Sequence, residues 1–532
     1  MRVFVYDTTL RDGTQGEHVS FSVADKLAIA HKLDEIGIDY IEGGWPGSNP
    51  RDEEFFERAK TDLRLSRARL VAFGSTRHAA NAVEDDDNVR KLVESATPAV
   101  AIFGKSWNLH TERALRVSEQ QNLDMIHSTV AYLKSLGREV IYDAEHFFDG
   151  YQTDRDFALR TLEAAQSAGA DSLVLCDTNG GTLTARLGEI VEDVRKRFDG
   201  VIGIHTHNDS ELAVANAIAA VELGATHVQG TINGYGERCG NCNLVSTICN
   251  LELKLGHTVI GRENVARLTA MANYIAETAN LRLANGSAFV GRSAFAHKGG
   301  IHVSAVLRDA ETYEHVKPEA VGNERRVLVS DLSGRSNIAF KLQEKGWDDK
   351  LTADARKEVL ERIKQLEFEG YELEAADGSF ELLIRQALSD HRELFRLDSM
   401  HMSLRKQGRE HSQCEVGMRV ETPSGTKSAQ VAASGPFDAM AGALRQCLAS
   451  EYPEVADIRL VDYKVRVLDP GKGTAAKVRV LINWADHTTN WTTVGVSDDV
   501  LEASWNALCD SVRLELRRAQ QPVPVAGEES AY

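Results

Sequence analysis

The first 265 residues alternate between short apolar runs and amphipathic segments, a pattern that few folds can satisfy. Eight apolar runs occur: RVFVYDT, DYIEGGW, RLVAFGS, AVAIFGKS, EVIYDAE, DSLVLCDT, GVIGIHTH and THVQGTI. Segments of helical period separate most of them, and Gly37, Gly169 and Gly224 follow such segments, as glycines often follow helices. Apolar runs without alternation are typical of strands buried on both faces. Eight strand–helix units therefore predict an α/β fold, a (β/α)8 TIM barrel over residues 1–265.

The rest of the chain has a different pattern. Residues 266–395 contain short segments and one clear amphipathic helix, TADARKEVLERIKQLEFEGY, and we interpret them as a helical linker or lid region. In residues 396–520, strand-like runs such as EVGMRVET and AAKVRVLINW are followed by a helix twice. This predicts a C-terminal α+β regulatory domain built from a duplicated strand–helix unit. For residues 521–532 we predict a disordered tail.

Charge and hydropathy limit the classes of partner. The formal net charge of −18 argues against a nucleic-acid surface, and any anionic substrate requires a local positive centre. No apolar run approaches the length of about 18 residues that indicates a membrane span, and the start MRVFVYDTTLRDG does not resemble a signal peptide. Seven thinly spread cysteines suit reduced thiols. We therefore expect a cytoplasmic protein without nucleic-acid or membrane partners.

Two histidines separated by one residue end the seventh apolar run. Because residues i and i+2 of a strand point to the same side, the imidazoles of His205 and His207 can converge on one point. Asp12, after the first strand, is expected beside them, since the carboxyl ends of barrel strands share one rim. These three residues are the predicted ligands of a divalent metal ion. The alternative is that they only cap strands and form salt bridges on the rim.

Other reactive residues lie at the same predicted rim. Two imidazoles and a carboxylate leave open metal positions, which the carboxylate and carbonyl oxygens of a 2-oxo acid can fill, and Arg11 can stabilise the developing oxyanion. The glycine-rich loop NGYGERCGNCNL offers Asn241 as a weak fourth ligand, with backbone passing close to a ligand. In the same loop, Cys239 and Cys242 form a single C-x2-C pair, which is only a weak zinc signal.

A second reactive segment, FAHKGGIHVSAV, lies outside the predicted barrel. It can act only if the linker region folds over the rim. We interpret His302 as a base that this lid offers to an otherwise acid-lined site. For His297, a structural and a catalytic role remain open.

Four motifs occur together: YDTTLRDGTQ, HTHND, NGYGERCGN and FAHKGGIH. With them the chain resembles, over essentially its whole length, the family of 2-isopropylmalate, homocitrate and citramalate synthases. The segment RDGTQGEHVSFSVADKLAIAHKLDEIGIDYIEGGWPGSNPRD is most similar to the citramalate synthase branch. The resemblance implies an acyltransferase that condenses acetyl-CoA with pyruvate and water to (R)-citramalate and CoA. This Claisen-type condensation is the first step of the pyruvate route to isoleucine.

The resemblance also implies the metal site. Asp12, His205 and His207 would bind the ion, Mg²⁺ or Mn²⁺ with Zn²⁺ as an alternative, and Asn241 would be a further ligand. Arg11 would bind substrate and stabilise the oxyanion.

Further roles follow from the same resemblance. Thr178 would hold the pyruvate carboxylate, and Glu145 and His302 would carry out acid–base chemistry, with His302 supplied by the partner of a domain-swapped homodimer. Tyr313 matches a lid tyrosine near the acyl-CoA. Asp143 departs from the pattern, because related enzymes can carry tyrosine or serine at this position. We place Asp143 in the 2-oxo acid pocket.

The C-terminal domain resembles effector-binding domains, which implies inhibition by a branched-chain amino acid, with isoleucine expected. The alternatives are 2-isopropylmalate synthase acting on 2-oxoisovalerate and homocitrate synthase acting on 2-oxoglutarate. Residues at the ends of strands 2 to 4 would decide between them: Trp45, Phe73, Ser75, Phe103 and Lys105. A lyase of the same barrel is disfavoured by the C-terminal domain and the GERCGN loop. A non-catalytic amino-acid sensor is disfavoured because all expected catalytic and metal-binding residues are present.

Overall fold

The structure, a computed structural model, describes residues 1–330, 335–344, 346–347, 350–388, 393–408 and 411–520. The chain divides into two compact units. The first comprises Met1–Phe295 and His315–Arg325, and the second comprises Ala296–Glu314 and the chain from Arg326 onward. The predicted tail at 521–532 lies outside the described residues.

Eight parallel strands form a closed barrel in the first unit, in the order of the sequence. They are β1 (Phe4–Asp7), β2 (Tyr40–Gly44), β3 (Arg69–Ser75), β4 (Ala99–Lys105), β5 (Glu139–Glu145), β6 (Ser172–Asp177), β7 (Val201–Thr206) and β8 (His227–Gly230). The barrel closes between β8 and β1, where His227 lies opposite Phe4. Each predicted run contains one strand, so the predicted (β/α)8 barrel is confirmed.

Helices of the first unit lie between and after these strands. They are α1 (Val23–Glu35), α2 (Pro50–Asp62), α3 (Asp87–Glu94), α4 (Asn108–His110), α5 (Glu119–Ser135), α6 (Phe147–Thr153), α7 (Arg155–Ser167), α8 (Thr184–Arg197), α9 (Ala213–Glu222), α10 (Leu244–Cys249), α11 (Arg262–Val265) and α12 (Leu268–Thr278). A reciprocal capping box starts α1: Ser22 Oγ accepts from the Asp25 amide, and the Asp25 carboxylate accepts from the Ser22 amide. Gly37 follows α1 with a φ of 87°, as expected of a residue that ends a helix.

Two apolar layers position the rim. One layer lies between the strands and the surrounding helices, and it is the largest buried cluster of the unit. The second fills the barrel interior and consists of Tyr6, Val71, Phe73, Ala99, Ala101, Ile141, Val174 and Cys176. The interior is therefore a packed core, and a substrate site belongs at the carboxyl ends of the strands.

The second unit begins with a short two-stranded sheet and helices. Its elements before residue 390 are β9 (Ala296–His297), α13 (Gly300–Arg308), β10 (Arg326–Val327), α14 (Arg335–Glu344), α15 (Ala353–Glu369) and α16 (Asp377–Leu388). Helix α15 confirms the amphipathic helix predicted from TADARKEVLERIKQLEFEGY.

Two three-stranded antiparallel sheets, each followed by a helix, complete the second unit. The first repeat is β11 (Arg396–Arg405), β12 (Gln413–Thr422), β13 (Gly425–Ala433) and α17 (Pro436–Leu448), and the second is β14 (Arg459–Val467), β15 (Val478–Ala485), β16 (Asn490–Ser497) and α18 (Val500–Gln520). The predicted duplication is confirmed. Strand β11 was not predicted, because it is an edge strand whose residues are mostly exposed and polar.

Short 3-10 or π turns occupy many connections. They lie at Gly13–Gln15, Val83–Asp85, Thr111–Leu115, Ile232–Gly234, Asn250–Lys254, Ala310–Thr312, Pro318–Val321, Leu373–Ala375, Pro453–Asp457 and Pro470–Ala475. Within the part of the chain that the structure describes, none of the helices combines the length and apolar character required to cross a bilayer.

Candidate active site

Three buried side chains predicted as metal ligands meet at the carboxyl end of the barrel. Asp12 follows β1, while His205 and His207 lie at the end of β7. Nε2 of His205 lies 3.4 Å from Oδ2 of Asp12 and 3.2 Å from Nε2 of His207. The donor atoms of the three residues all lie within 4.8 Å of one another, close enough to hold a metal ion. Within the described part of the chain, no other group of three or more histidine, cysteine or acidic residues has this arrangement.

The electrostatics of this group suit cation binding. Burial alone would raise the pKa of Asp12, but Arg11 and the two histidines outweigh it, so the pKa of this carboxyl is lowered. Burial, followed by the proximity of His205, lowers the pKa of His207 to about 4. Asp12 is therefore anionic and His207 neutral at pH 7, which are the protonation states that ligate metals.

Asn241 lies beside these residues in the glycine-rich loop. It forms a β-bridge with His207, and its buried Oδ1 has no hydrogen-bond partner, as expected of an atom available to a cation. The loop has no room for larger residues: a Cβ at Gly240, whose φ is 92°, would lie 2.0 Å from the Gly234 carbonyl oxygen. A Cβ at Gly236 would lie 2.2 Å from Nδ2 of Asn241. The glycines thus allow the loop to fold tightly around Asn241.

A buried hydrogen-bond chain supports His205 from behind. Nδ1 of His205 lies 2.8 Å from Oε1 of Gln229, and Nε2 of Gln229 donates to Oδ1 of Asp143 over 3.0 Å. Burial, with a smaller effect from the Glu42 carboxylate, raises the pKa of Asp143 to about 8. The Asp143 carboxyl is therefore largely protonated at neutral pH.

Arg11 is fixed above the site by three contacts. Its Nε donates to the carboxylate of Glu42, and its Nη1 lies 3.4 Å from Oδ2 of Asp12. The guanidinium carbon lies 3.7 Å from the ring centroid of Phe73. Glu42 itself is fully buried and also accepts from Thr8 Oγ1 over 2.6 Å. The positive charge of Arg11 therefore stays next to the predicted metal ligands.

Glu145 is the last residue of β5, and Thr178 directly follows β6 on the same rim. Oγ1 of Thr178 accepts from the His146 amide over 2.9 Å, so its hydroxyl proton remains available to an anion. Glu145 forms an ion pair with Lys105 at the end of β4. The structure thus brings the predicted barrel residues to one edge of the fold.

Comparison with known proteins identifies the family. Residues 2–275 match the HMGL-like model, residues 289–370 the homocitrate synthase post-HMGL domain-like model, and residues 374–515 the LeuA allosteric (dimerisation) domain model. An (R)-citramalate synthase of Aquifex aeolicus is 50% identical, over 98% of this chain and 99% of its own. The chain belongs to the citramalate synthase family. An (R)-citramalate synthase of Geobacter sulfurreducens is 49% identical, over 98% of both chains. A 2-isopropylmalate synthase of Methanocaldococcus jannaschii is 29% identical, over 98% of this chain and 96% of its own.

In this member of the citramalate synthase family, three of the predicted pocket residues form an aromatic cluster. The ring of Trp45 lies 5.8 Å from that of Phe73 and 5.7 Å from that of Phe103, and the latter two are 5.4 Å apart. The other two candidates, Ser75 and Lys105, line a cavity of about 160 Å³ together with Phe103. Because Phe73 also contacts Arg11, this aromatic wall borders the metal-ligand cluster.

The C-x2-C pair of this citramalate synthase family member lies in two different environments. Cys239 is exposed and Cys242 is buried. The thiol of Cys242 lies 3.1 Å from Oγ1 of Thr247. No cysteine enters the candidate metal group of the described residues. The pair thus contributes a buried core residue and a surface thiol.

The predicted lid residues of this citramalate synthase family member lie in the second unit. The rings of His302 and Tyr313 are 4.4 Å apart, and both residues are exposed. His297 is paired instead: its Nε2 lies 3.1 Å from Oε1 of the buried Glu314, which fits the structural role left open above.

Sequence reasoning missed two buried residues of the site, Glu42 and Gln229. Each is a polar residue inside an otherwise apolar strand, DYIEGGW and THVQGTI respectively. A buried strand position rarely holds an unpaired polar side chain, so this pattern was the available signal.

Proposed function

We propose that the protein condenses acetyl-CoA with pyruvate and water to give (R)-citramalate and CoA. The observation that carries the proposal is the buried Asp12, His205 and His207 cluster next to Arg11, in a chain 50% identical to an (R)-citramalate synthase. We also propose the domain boundaries that the sequence predicts: a catalytic domain at 1–265, a linker or lid at 266–395 and a regulatory domain at 396–520.

The residues of the cluster fit a divalent metal ion, with Mg²⁺ or Mn²⁺ proposed. Asp12, His205 and His207 would hold it, and the unpartnered Oδ1 of Asn241 would be a further ligand. When bound, such an ion polarises a ketone and helps to neutralise developing negative charge. Two imidazole nitrogens and one carboxylate leave coordination positions open for substrate oxygens.

The neighbouring residues of the chain would orient pyruvate. The guanidinium of Arg11 stabilises negative charge as the ketone oxygen of pyruvate becomes an alkoxide and then a hydroxyl. The hydroxyl of Thr178 donates to the pyruvate carboxylate. The carboxyl of Asp143 lies in the pocket that receives the 2-oxo acid. The aromatic wall of Trp45, Phe73 and Phe103 limits the size of the group on the ketone carbon.

Acid–base chemistry would complete the reaction. A base removes a methyl proton from acetyl-CoA, and the resulting carbanion equivalent forms a carbon–carbon bond to the ketone carbon of pyruvate. Water then cleaves the thioester, which leaves a carboxylate and releases CoA. We propose Glu145 and His302 for the proton transfers and Tyr313 for acyl-CoA contact, in a domain-swapped homodimer.

Release of the CoA thiol measures the proposed activity. The purified chain is incubated with acetyl-CoA and, separately, pyruvate, 2-oxobutanoate, 2-oxoisovalerate or 2-oxoglutarate, with and without EDTA. We expect release to be fastest with pyruvate, to be abolished by EDTA and to return when Mn²⁺ or Mg²⁺ is added in excess. If release is fastest with 2-oxoisovalerate or 2-oxoglutarate, the proposed mechanism stands but pyruvate is not the substrate. No release from the folded, metal-supplied protein would reject the function.

Regulation by isoleucine is the proposed role of the C-terminal repeats, and the match to the LeuA allosteric (dimerisation) domain supports it. Inhibition requires that isoleucine bind the active and inactive states with different affinity. The initial rate is measured against isoleucine, leucine and valine at equal concentrations. If leucine or valine inhibits more strongly than isoleucine, that amino acid is the effector. If none of the three inhibits, regulation by these amino acids is rejected.

A further inference from the structure

We propose that Gln229 and Asp143 are positioning residues that hold His205 in the tautomer required to bind the metal. The proposal rests on the metal site of the proposed function and assigns a role to the buried chain behind it. The hydrogen bonds that Gln229 forms with His205 and Asp143 lie within the chain and need no bound group.

The contact between Gln229 and His205 determines which ring nitrogen carries the proton. The two residues lie opposite each other in the register of β7 and β8. Oε1 of Gln229 and Nδ1 of His205 are 2.8 Å apart. An amide oxygen can only accept, so Nδ1 must donate. The neutral imidazole then has its lone pair on Nε2, the atom that lies 3.4 Å from Oδ2 of Asp12.

Asp143 determines the orientation of the Gln229 amide. Its Oδ1 lies 3.0 Å from Nε2 of Gln229 and accepts a hydrogen bond from it. With the amide nitrogen facing Asp143, the amide oxygen must face His205. Gln229, Asp143 and His205 are only 1%, 4% and 5% exposed, so a lost hydrogen bond would leave a buried polar group unsatisfied.

The chain crosses the barrel interior, because Asp143 belongs to β5 whereas Gln229 and His205 belong to the adjacent strands β8 and β7. Outer partners of this kind fix the orientation of a ligating histidine, and their removal typically weakens metal affinity about 10- to 100-fold. Gln229 and Asp143 therefore act through His205 on the metal site.

The test is the dissociation constant of Mn²⁺ for the full-length protein, measured by electron paramagnetic resonance titration without substrates. Gln229→Met keeps a similar volume but removes both hydrogen bonds, and we expect the dissociation constant to rise about 10- to 100-fold. Gln229→Glu retains an acceptor for Nδ1 of His205 and should bind Mn²⁺ several-fold more tightly than Gln229→Met. An unchanged dissociation constant in Gln229→Met, or equal weakening in both variants, would overturn the proposal.

Substitutions of Asp143 test whether it acts through Gln229. Asp143→Leu removes the acceptor and should weaken Mn²⁺ binding, whereas Asp143→Asn retains an acceptor oxygen and should stay close to wild type. In the Gln229→Met background, Asp143→Leu should cause no further weakening. An additive loss in the double variant would show that Asp143 acts independently and would refute its positioning role.

Val228→Ala is the matched control, because Val228 lies between His227 and Gln229 and packs in the layer outside the barrel. We expect it to lower the melting temperature and to leave the Mn²⁺ dissociation constant unchanged. If it weakened binding as much as Gln229→Met, general destabilisation would explain both results and the proposal would be wrong. A folded wild-type protein that binds no Mn²⁺ would instead overturn the metal site of the proposed function, and with it this proposal.

Discussion

The buried carboxylate of Glu42 allows a quantitative test of how the site holds Arg11. Glu42 is fully buried and accepts hydrogen bonds from Arg11, Tyr6 and Thr8. Glu42→Gln preserves its shape but removes the charge that faces the guanidinium. A hydrogen bond to a charged group contributes about 1.5–3 kcal/mol and a neutral one about 1 kcal/mol. Glu42→Gln therefore removes roughly 0.5–2 kcal/mol of the free energy that holds the Arg11 guanidinium in place, which corresponds to a factor of about 2–30.

We expect kcat/KM for pyruvate to fall by this factor in Glu42→Gln, measured by CoA release at saturating acetyl-CoA and Mn²⁺. Asp34→Asn is the control: Asp34 is a buried carboxylate that accepts from the amides of Ser66, Arg67 and Ala68. It should lower the melting temperature while leaving kcat/KM unchanged. If kcat/KM of Glu42→Gln stays within twofold of the wild-type value at equal metal content, the role of Glu42 in holding Arg11 is refuted.

Three further predictions concern acid stability, substrate size and thiol reactivity. Burial lowers the pKa of His227 to about 3, so below about pH 6.5 the unfolded chain binds a proton that the folded chain does not, and the stability contribution of this residue falls as the pH falls. His227→Phe should therefore reduce the loss of unfolding free energy between pH 6.5 and 5, measured in urea, by up to about 1.4 kcal/mol per pH unit; an unchanged slope would contradict this reasoning. Phe73→Ala should raise kcat/KM for 2-oxobutanoate relative to pyruvate by at least about tenfold, and an unchanged ratio would exclude Phe73 from the pocket wall. Cys239 is the exposed cysteine and the other six are buried, so Ellman's reagent should label one thiol rapidly, and Cys239→Ser should remove this fast phase; persistence of the fast phase would show that another cysteine is accessible.

The fold and the metal-ligand cluster could be predicted because local sequence patterns, combined with the geometry of the barrel, determine both. Apolar runs without alternation gave the buried strands, and the i, i+2 spacing of His205 and His207 placed both rings on one side of a strand. Because the carboxyl ends of all barrel strands lie at one rim, Asp12 was expected beside them, although almost two hundred residues of sequence separate it from His205. In the structure, the donor atoms of all three residues lie within 4.8 Å of one another.

The supporting residues could not be predicted in the same way. The partners of Gln229 lie on β7 and β5, and those of Glu42 on and just after β1, so their hydrogen bonds depend on strand register and side-chain rotamers. Sequence spacing carries no information about either. Strand β11 was missed for another reason: as an exposed edge strand it has only a weak apolar alternation, with Leu397, Met400 and Met402 partly buried.

Two arcs of the rim differ in how freely their residues can change. Asp12 follows β1, His205 and Gln229 belong to β7 and β8, and Asn241 lies in the loop after β8, whereas the aromatic wall lies at the ends of β2, β3 and β4. The first arc tolerates little change, since its loop has no space for a side chain at Gly236 or Gly240. The second arc consists of side chains that can be exchanged one at a time. Selection can therefore alter which 2-oxo acid is accepted without rebuilding the chemistry, and laboratory libraries for new acceptors are best confined to the ends of β2, β3 and β4.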